Sequence, residues 1–323
     1  MRAVVVEQPG GPEALQVRDL ETPEPLAGEV RVDVSASGVN FLDAYQRSGV
    51  YSKPTPFIAG SEGAGVVSSV GADVADVSVG DRVAWAMVDG GGYAEQVVVP
   101  ADRVVPVPSE VDDETAAAVM LQGMTAHYLC ESTYPIKAGQ TALVHAAAGG
   151  VGLMVTQMIV NKGARVIGTT STTEKAELAR EAGASDVILY IKQDVVSEIR
   201  RLTGGRGVDV VYDGVGQSTF DASLDCLAPR GMIVLFGASS GPVKPIDPQI
   251  LNQKGSVFLT RPSLAHYIAI RDELVSRASD VFSSIAAGDL SVRIGGRYSY
   301  DEAWRAHEDL EGRRTTGKLL LVP

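Results

Sequence analysis

Cysteine is nearly absent from this chain. Its two residues, Cys130 and Cys226, cannot staple a disulfide framework. Histidine is almost as scarce. His127, His145, His266 and His307 stand apart and pair with neither cysteine at the spacing zinc ligands use. Cys130 and Cys226 therefore read as core or neutral positions, and no bound metal is expected. Positive charge is in deficit, with 28 Lys and Arg against 40 Asp and Glu and a net charge of −12. An anionic surface argues against a general nucleic-acid or anionic-membrane binder, while leaving room for one basic pocket. No apolar run reaches the roughly 18 residues of a membrane-spanning helix. The opening Met1-Arg2-Ala3-Val4-Val5-Val6-Glu7 turns polar too early for a signal peptide. These absences point to a reduced, cytoplasmic protein. Disorder is not expected to dominate either, because 45% hydrophobic and 21% charged residues is an ordinary globular balance.

A chain of 323 residues suggests two domains. The first third reads as β-rich, with short apolar or alternating runs at 2–7, 29–37, 63–70, 82–87 and 93–100, separated by Gly, Pro and Asp. The middle changes rhythm. Strands at 141–145, 165–168, 186–189, 208–212, 231–236 and 256–260 alternate with helices at 151–160, 173–182, 194–202 and 218–227. In the first of these helices Val151, Met154, Val155, Met158 and Ile159 fall on one face. Strands alternating with helices of this length predict a parallel sheet covered on both faces. From about residue 264 the tail holds one long helical pattern, a strand-like 292–294, a short helix near 301–311 and a final strand at 318–322. It is too short for a third domain and is expected to return to the first.

The strongest chemical signal is the segment from Thr141 to Gly152. Against G-x-G-x-x-G it reads Ala147-x-Gly149-x-x-Gly152, with a strand before it and a helix after it. Small residues let backbone approach a pyrophosphate, and the helix N-terminus then faces the phosphates with free N–H groups. The second strand ends in Gly168-Thr169-Thr170-Ser171-Thr172-Thr173, without the carboxylate that would hold an NAD ribose. Lys175 follows. Hydroxyls and one cation suit a 2′-phosphate, so NADP is favoured over NAD, with the neighbouring Glu174 a competing ribose contact. The segment Gly312-Arg313-Arg314-Thr315-Thr316-Gly317-Lys318-Leu319 nearly matches a phosphate-binding P-loop. It puts Leu319 where Ser or Thr is needed and leaves too little chain for the following helix.

The whole chain resembles the medium-chain dehydrogenase/reductase superfamily, in its quinone oxidoreductase (zeta-crystallin-like) branch. The resemblance is carried by Gly38-Val39-Asn40-Phe41-Leu42-Asp43, Gly60-Ser61-Glu62-Gly63-Ala64-Gly65, Val79-Gly80-Asp81-Arg82-Val83 and Gln122-Gly123-Met124-Thr125-Ala126. The glycine motif, Asp213-Gly214-Val215-Gly216 and Thr315-Thr316-Gly317-Lys318 continue it in order. Zinc alcohol dehydrogenases of this superfamily carry Cys where Asn40 stands, His where Ser61 stands, and a four-cysteine lobe that has no counterpart here. Glu62 remains from the metal motif and reads as structural. Short-chain dehydrogenases would place the glycine motif near the N-terminus and use Tyr-x-x-x-Lys, whereas Tyr134-x-x-Lys137 has the wrong spacing.

The resemblance implies an α/β fold. A Rossmann doubly wound parallel-sheet domain at 123–263 would bind NADPH, beside a β-rich GroES-like catalytic domain at 1–122 completed by 264–323. It places the cofactor in the cleft between them. It assigns Ser171, Lys175, Tyr190 and Arg313 to the 2′-phosphate and adenosine, and Gly149, Gly150 and Val151 to the pyrophosphate. Val215, Phe236, Gly237, Ala238, Ser239, Phe258, Leu259 and Thr260 fall on the nicotinamide side, with Thr125 and Tyr128 at the domain junction. Ala238 departs from an Asn of some relatives. Asn40, Asp43, Tyr45 and Tyr51 lie on a first-domain loop, with Asn40, Tyr45 and Tyr51 as candidate donors to an acceptor oxygen and Asp43 able to orient Arg47 or the loop. Strand pairing near 256–260 implies a homodimer. The implied activity is zinc-independent hydride transfer from NADPH to a quinone. The alternatives are reduction of activated C=C bonds in enones or enoyl thioesters, and a low-turnover NADPH-binding regulatory or structural protein.

Overall fold

The computed structural model describes residues 1–89 and 91–323. The chain divides into two compact units, Met1–Met124 with Tyr267–Pro323, and Thr125–His266.

The second unit is built on six parallel strands. Across the sheet they run Asp186–Leu189, Arg165–Thr170, Thr141–Val144, Val208–Asp213, Leu227–Leu235 and Phe258–Thr260. In chain order this is 3-2-1-4-5-6, the order of a dinucleotide-binding Rossmann sheet. The strands are nearly continuous apolar runs, as expected where both faces are covered. Leu143, Ile167, Val211 and Ile233 pack with Ile199, Phe220 and Leu224 in one core. Short polar side chains start the helices. Thr172 accepts the Lys175 amide at 3.3 Å ahead of Thr173–Glu181, and Asp194 accepts the Ser197 amide at 2.8 Å ahead of Val195–Leu202. The helix Gly150–Asn161 buries Met154, Val155 and Ile159 of the predicted face, leaves Val151 and Met158 half-buried, and buries Gly152, Leu153 and Thr156 as well.

The first unit centres on the long strand Glu29–Val39. Antiparallel neighbours are Glu62–Val70, Gln96–Pro100 and, from the far end of the chain, Lys318–Val322, with Leu319 opposite Val39. Arg82–Ala86, Val105–Pro106 and Ile294–Ser299 extend this sheet. Leu15–Asp19, Arg2–Val6 and Phe57–Ile58 form a second, small sheet. Val30, Val32, Val67, Trp85 and Val97 fill the core.

Several elements depart from sequence expectation. The segment after Asn40 is the helix Phe41–Arg47 rather than a loop. Its two turns are too short for a periodic pattern, and it buries Asp43 and Arg47, which sequence patterning counts as solvent-facing. Asp113–Val119 and Gln122–Tyr128 are likewise seven-residue helices, too short to show a periodic pattern. The long helical pattern of the tail divides into Leu264–Tyr267 and Arg271–Ala286. The last parallel strand starts at Phe258, because Ser256 takes a left-handed conformation at φ +57° that no strand can hold.

Candidate functional site

In an open parallel sheet, ligands bind beyond the strand ends where the strand order reverses. Here that point lies between Thr141–Val144 and Val208–Asp213. The first strand runs into His145, whose amide bonds to Tyr212 O at 3.1 Å, then into the turn that begins Gly150–Asn161. Gly149 caps that helix with no side chain to occupy its first-turn amides. Those N–H groups, with the positive end of the helix dipole, form an anion site. The glycine at 152 is required by contact. A Cβ there would stand 2.4 Å from Ala146 O and 2.9 Å from Ala147 Cα. Ala146 is held at φ +50°, so the turn carries backbone strain at its exposed apex. This cradle fits a dinucleotide pyrophosphate.

At the tip of the second strand, Thr170, Ser171 and Thr172 lead into Thr173–Glu181, and the Tyr190 amide bonds to Thr170 O at 3.2 Å. This places Tyr190, 41% exposed, next to the tip of the second strand. Glu174 is drawn below the usual carboxylate range by its own backbone amide and the Thr172 hydroxyl. Its charge is turned toward the helix start. Lys175 lies one residue further on, half-buried.

At the other end, Val215 and the segment 236–239 form one body. Ser239 N bonds to Gly214 O at 3.3 Å, and Ser240 N and Oγ both bond to Val215 O at 2.8 Å. Gly214 passes beneath the Phe236 ring, where a Cβ would meet Cζ at 2.8 Å. Phe258 and Leu259 pair opposite Met232 and Ile233, below the strand tips, while Thr260 lies opposite Val234 nearer the end. Thr125 and Tyr128 are buried in their short helix at 7% and 1% exposure.

The turn 214–216 is anchored by Asp213, which is fully buried. Its Oδ1 accepts the Val215 and Gly216 amides at 2.8 and 3.0 Å, and its Oδ2 accepts the Ser223 hydroxyl at 2.9 Å. Ser223 Oγ lies 3.0 Å from His145 Nε2, and His145 Nδ1 lies 3.0 Å from Thr169 Oγ1. Sequence inspection left His145 and Ser223 without a role, because four elements must fold together before they meet.

The first unit holds a second buried polar network. Lys318 and Glu62, both fully buried, form a short ion pair. Asn40 joins them, with Nδ2 donating to Glu62 Oε1 at 2.7 Å and Oδ1 accepting from Lys318 Nζ at 2.7 Å. The Leu121 amide donates to Glu62 Oε2 at 2.6 Å. Asp43 accepts from the Asn40 amide at 2.8 Å, the Ser61 hydroxyl at 2.5 Å and the Tyr93 hydroxyl at 3.0 Å. Burial pushes Asp43 up to about 6. Tyr93 Oη in turn meets His307 Nε2, and Arg47 Nη1 donates to His307 Nδ1, both at 3.2 Å. Burial, with Arg47 beside it, lowers His307 to about 3. Arg47 pairs with Glu311 at 3.0 Å and so reaches Asp43 only through His307 and Tyr93. Asp43 therefore orients Asn40, Ser61 and Tyr93 rather than Arg47.

Among the described residues no group of three or more His, Cys, Asp and Glu is placed to hold a metal ion. Among the described residues the donor set around Asn40 and Ser61 does not suit zinc: Glu62 is committed to an ammonium, Asp43 accepts from an amide and two hydroxyls, and neither thiolate nor imidazole bonds to these four side chains. The Tyr45 and Tyr51 rings meet at a tilt of 58° with centroids 5.2 Å apart, Tyr51 being 42% exposed. Arg313 lies exposed in the turn after Ala303–Glu311, at φ +55°. Asn40, Asp43, Tyr45, Tyr51 and Arg313 belong to the first unit, and the remaining expected site residues to the second.

Two family descriptions match the chain, alcohol dehydrogenase GroES-like domain over residues 26–109 and zinc-binding dehydrogenase over 150–280. The quinone oxidoreductase of Pseudomonas aeruginosa is 47% identical over 97% of both chains. A 2-haloacrylate reductase of a Burkholderia species is 41% identical over 99% of this chain and 98% of its own. The crystal structure of Escherichia coli quinone oxidoreductase complexed with NADPH superimposes with a TM-score of 0.98 at 44% identity, covering both chains completely. With its Rossmann sheet, GroES-like segment and full-length likeness to such relatives, this chain belongs to the quinone oxidoreductases of the medium-chain dehydrogenase/reductase superfamily.

Proposed function

We propose that this protein transfers hydride from NADPH to a quinone, without a catalytic metal. One observation carries the cofactor half of this reading. The switch point of the second unit offers a helix N-terminus with bare amides, and the second strand ends in hydroxyls with Lys175 nearby rather than in a carboxylate. Gly149, Gly150 and Val151 would hold the pyrophosphate, Gly150 and Val151 through their amides and Gly149, whose own amide bonds to Ala146 O at 2.9 Å, by close backbone approach. Ser171 and Lys175 would hold the 2′-phosphate by charge-assisted hydrogen bonds, with Tyr190 against the adenine and Arg313 as a further phosphate contact. Val215, Phe236, Gly237, Ala238, Ser239 and Thr260 would flank the nicotinamide, and Thr125, Tyr128, Phe258 and Leu259 complete the contacts the resemblance assigns. When bound, NADPH supplies the hydride.

The chain's own contribution is placement and charge stabilisation. An acceptor oxygen that gains negative charge is stabilised by a fixed donor. Tyr45 and Tyr51 are the donors this reading favours. The Nδ2 hydrogens of Asn40 go to Glu62 and, at 3.3 Å, to Gly38 O. In this reading Asn40 therefore links the acceptor side to Lys318 and Glu62, and Asp43 holds its backbone.

A second reading, reduction of an activated C=C bond, is favoured by the 41% identity to a 2-haloacrylate reductase. A homodimer through the edge strand Phe258–Thr260 is supported by the 56% exposure of Phe258 on the last strand of the sheet, which is paired on one side only. A cytoplasmic location is proposed with it.

Loss of reduced-nicotinamide absorbance with a panel of quinones and enones tests these readings. Quinone-dependent oxidation of NADPH, with NADH much slower, is the expected result. Faster turnover of enones would replace it with the second reading. NADPH binding without turnover on any acceptor would overturn both.

A further inference from the structure

A buried histidine is an expensive way to fill space. His145 is 3% exposed and sits between two hydroxyl side chains, where an apolar side chain of similar size would pack at no desolvation cost. Its hydrogen bonds explain its presence. Asp213 can only accept, so the Ser223 hydrogen is committed to Oδ2. Ser223 Oγ then accepts from His145, which fixes the ring proton on Nε2. Nδ1 is left as an acceptor, and the Thr169 hydroxyl donates to it. Burial lowers the His145 pKa and keeps the ring neutral, as this pattern requires. Every hydrogen on the path from Thr169 through His145 and Ser223 to Asp213 has one direction. Thr169 lies in the strand Arg165–Thr170, two residues before Ser171. Asp213 holds the amides of Val215 and Gly216.

We propose that Thr169, His145 and Ser223 are positioning residues. Their directed hydrogen-bond chain ties the adenosine end of the cofactor site to the 214–216 turn and holds that turn where the nicotinamide binds. This rests on the cofactor placement proposed above. Removing the Thr169 hydroxyl leaves Nδ1 without a donor. The ring keeps its Nε2 proton for Ser223, loses its tether to the strand Arg165–Thr170, and no longer fixes the position of Ser223 on Asp213. A change beside the ribose is thus delivered to the nicotinamide turn.

The test compares NADPH with 2′,5′-ADP, which carries the adenosine and the 2′-phosphate but no nicotinamide. Dissociation constants for both, kcat, and the emission of bound NADPH are measured for wild type, Ser223→Ala, Thr169→Val and Thr169→Ser. Ser223→Ala and Thr169→Val are expected to weaken NADPH on the order of tenfold. They should also lower kcat and shift the bound-NADPH emission, while 2′,5′-ADP binding stays within about twofold. Thr169→Ser, which keeps the hydroxyl, is expected to restore wild-type values. Equal weakening of both ligands, or no change in either, overturns the proposal. Wild type that binds neither ligand removes the cofactor placement instead. Should Ser223→Ala fail to fold, the nearly isosteric Thr169 pair decides the question alone.

Discussion

Replacing Lys318 by methionine keeps most of the side chain's volume and removes its charge. Lys318 and Glu62 are both fully buried, so the substitution leaves a carboxylate in the interior without its counter-ion. Glu62 would keep two partners, Asn40 Nδ2 at 2.7 Å and the Leu121 amide at 2.6 Å. Asn40 Oδ1 would keep only the long contact to Gln122 at 3.5 Å. Breaking a buried ion pair costs about 3–5 kcal/mol, and the surviving hydrogen bonds place the expectation at the lower end, near ~3 kcal/mol. In a unit of this size that is a fall of roughly 6–12 °C in melting temperature. The decisive comparison is the double variant Lys318→Met with Glu62→Gln. Neutralising both partners removes the lone charge and is expected to recover at least half of the loss. Urea unfolding at one pH, with the denaturant slopes compared, measures all three variants. A single-variant cost below about 1 kcal/mol, or a double variant that loses the sum of the two singles, would refute the reasoning.

Asp43 and His307 should act on stability in opposite directions with pH. Asp43, raised by burial from 3.8 to about 6, contributes stability that is present at low pH and lost as pH rises through 6. His307, lowered by burial and Arg47 from 6.5 to about 3, contributes stability that is present above 6.5 and lost as pH falls through 3. Relative to wild type, Asp43→Asn should therefore gain about 1.4 kcal/mol per pH unit between roughly pH 4 and 6, and a constant difference across that range contradicts the assignment. Gly152→Ala drives a Cβ against Ala146 O and should cost about 1–3 kcal/mol together with NADPH affinity; thermal melting with and without NADPH checks this, and an unchanged midpoint and shift would count against the cradle. Lys175→Ala should lower kcat/KM for NADPH by roughly tenfold and leave NADH nearly untouched, so an equal loss on both cofactors argues against a 2′-phosphate contact.

The Rossmann unit was legible because its signals are local. The segment Thr141 to Gly152 carries strand, turn and helix start in one stretch, and each later strand is an apolar run bounded by its own cap or glycine. The first unit was less legible. Its seven-residue helices are too short for periodicity, and Phe41–Arg47 turns an aspartate and an arginine inward. Lys318 offered one hint, a lysine heading the uninterrupted apolar run Leu319-Leu320-Leu321-Val322. A lysine there is either a strand-end residue at the surface or a buried partner, and local pattern does not separate the two.

What the sequence determined by itself follows from short-range physics: the strand–helix alternation, the glycine turn with its helix start, and a strand end without a carboxylate. What only the tertiary structure decided are the partners of buried charged and polar groups. Glu62 meets Lys318 across 256 residues of chain, Arg47 meets Glu311 across 264, and His145 meets Ser223 across 78. Burying such groups is favourable only when the partner arrives with the right hydrogen in the right direction. That condition is met by the pairing of strands and helices distant in sequence, and no local stretch of residues contains it.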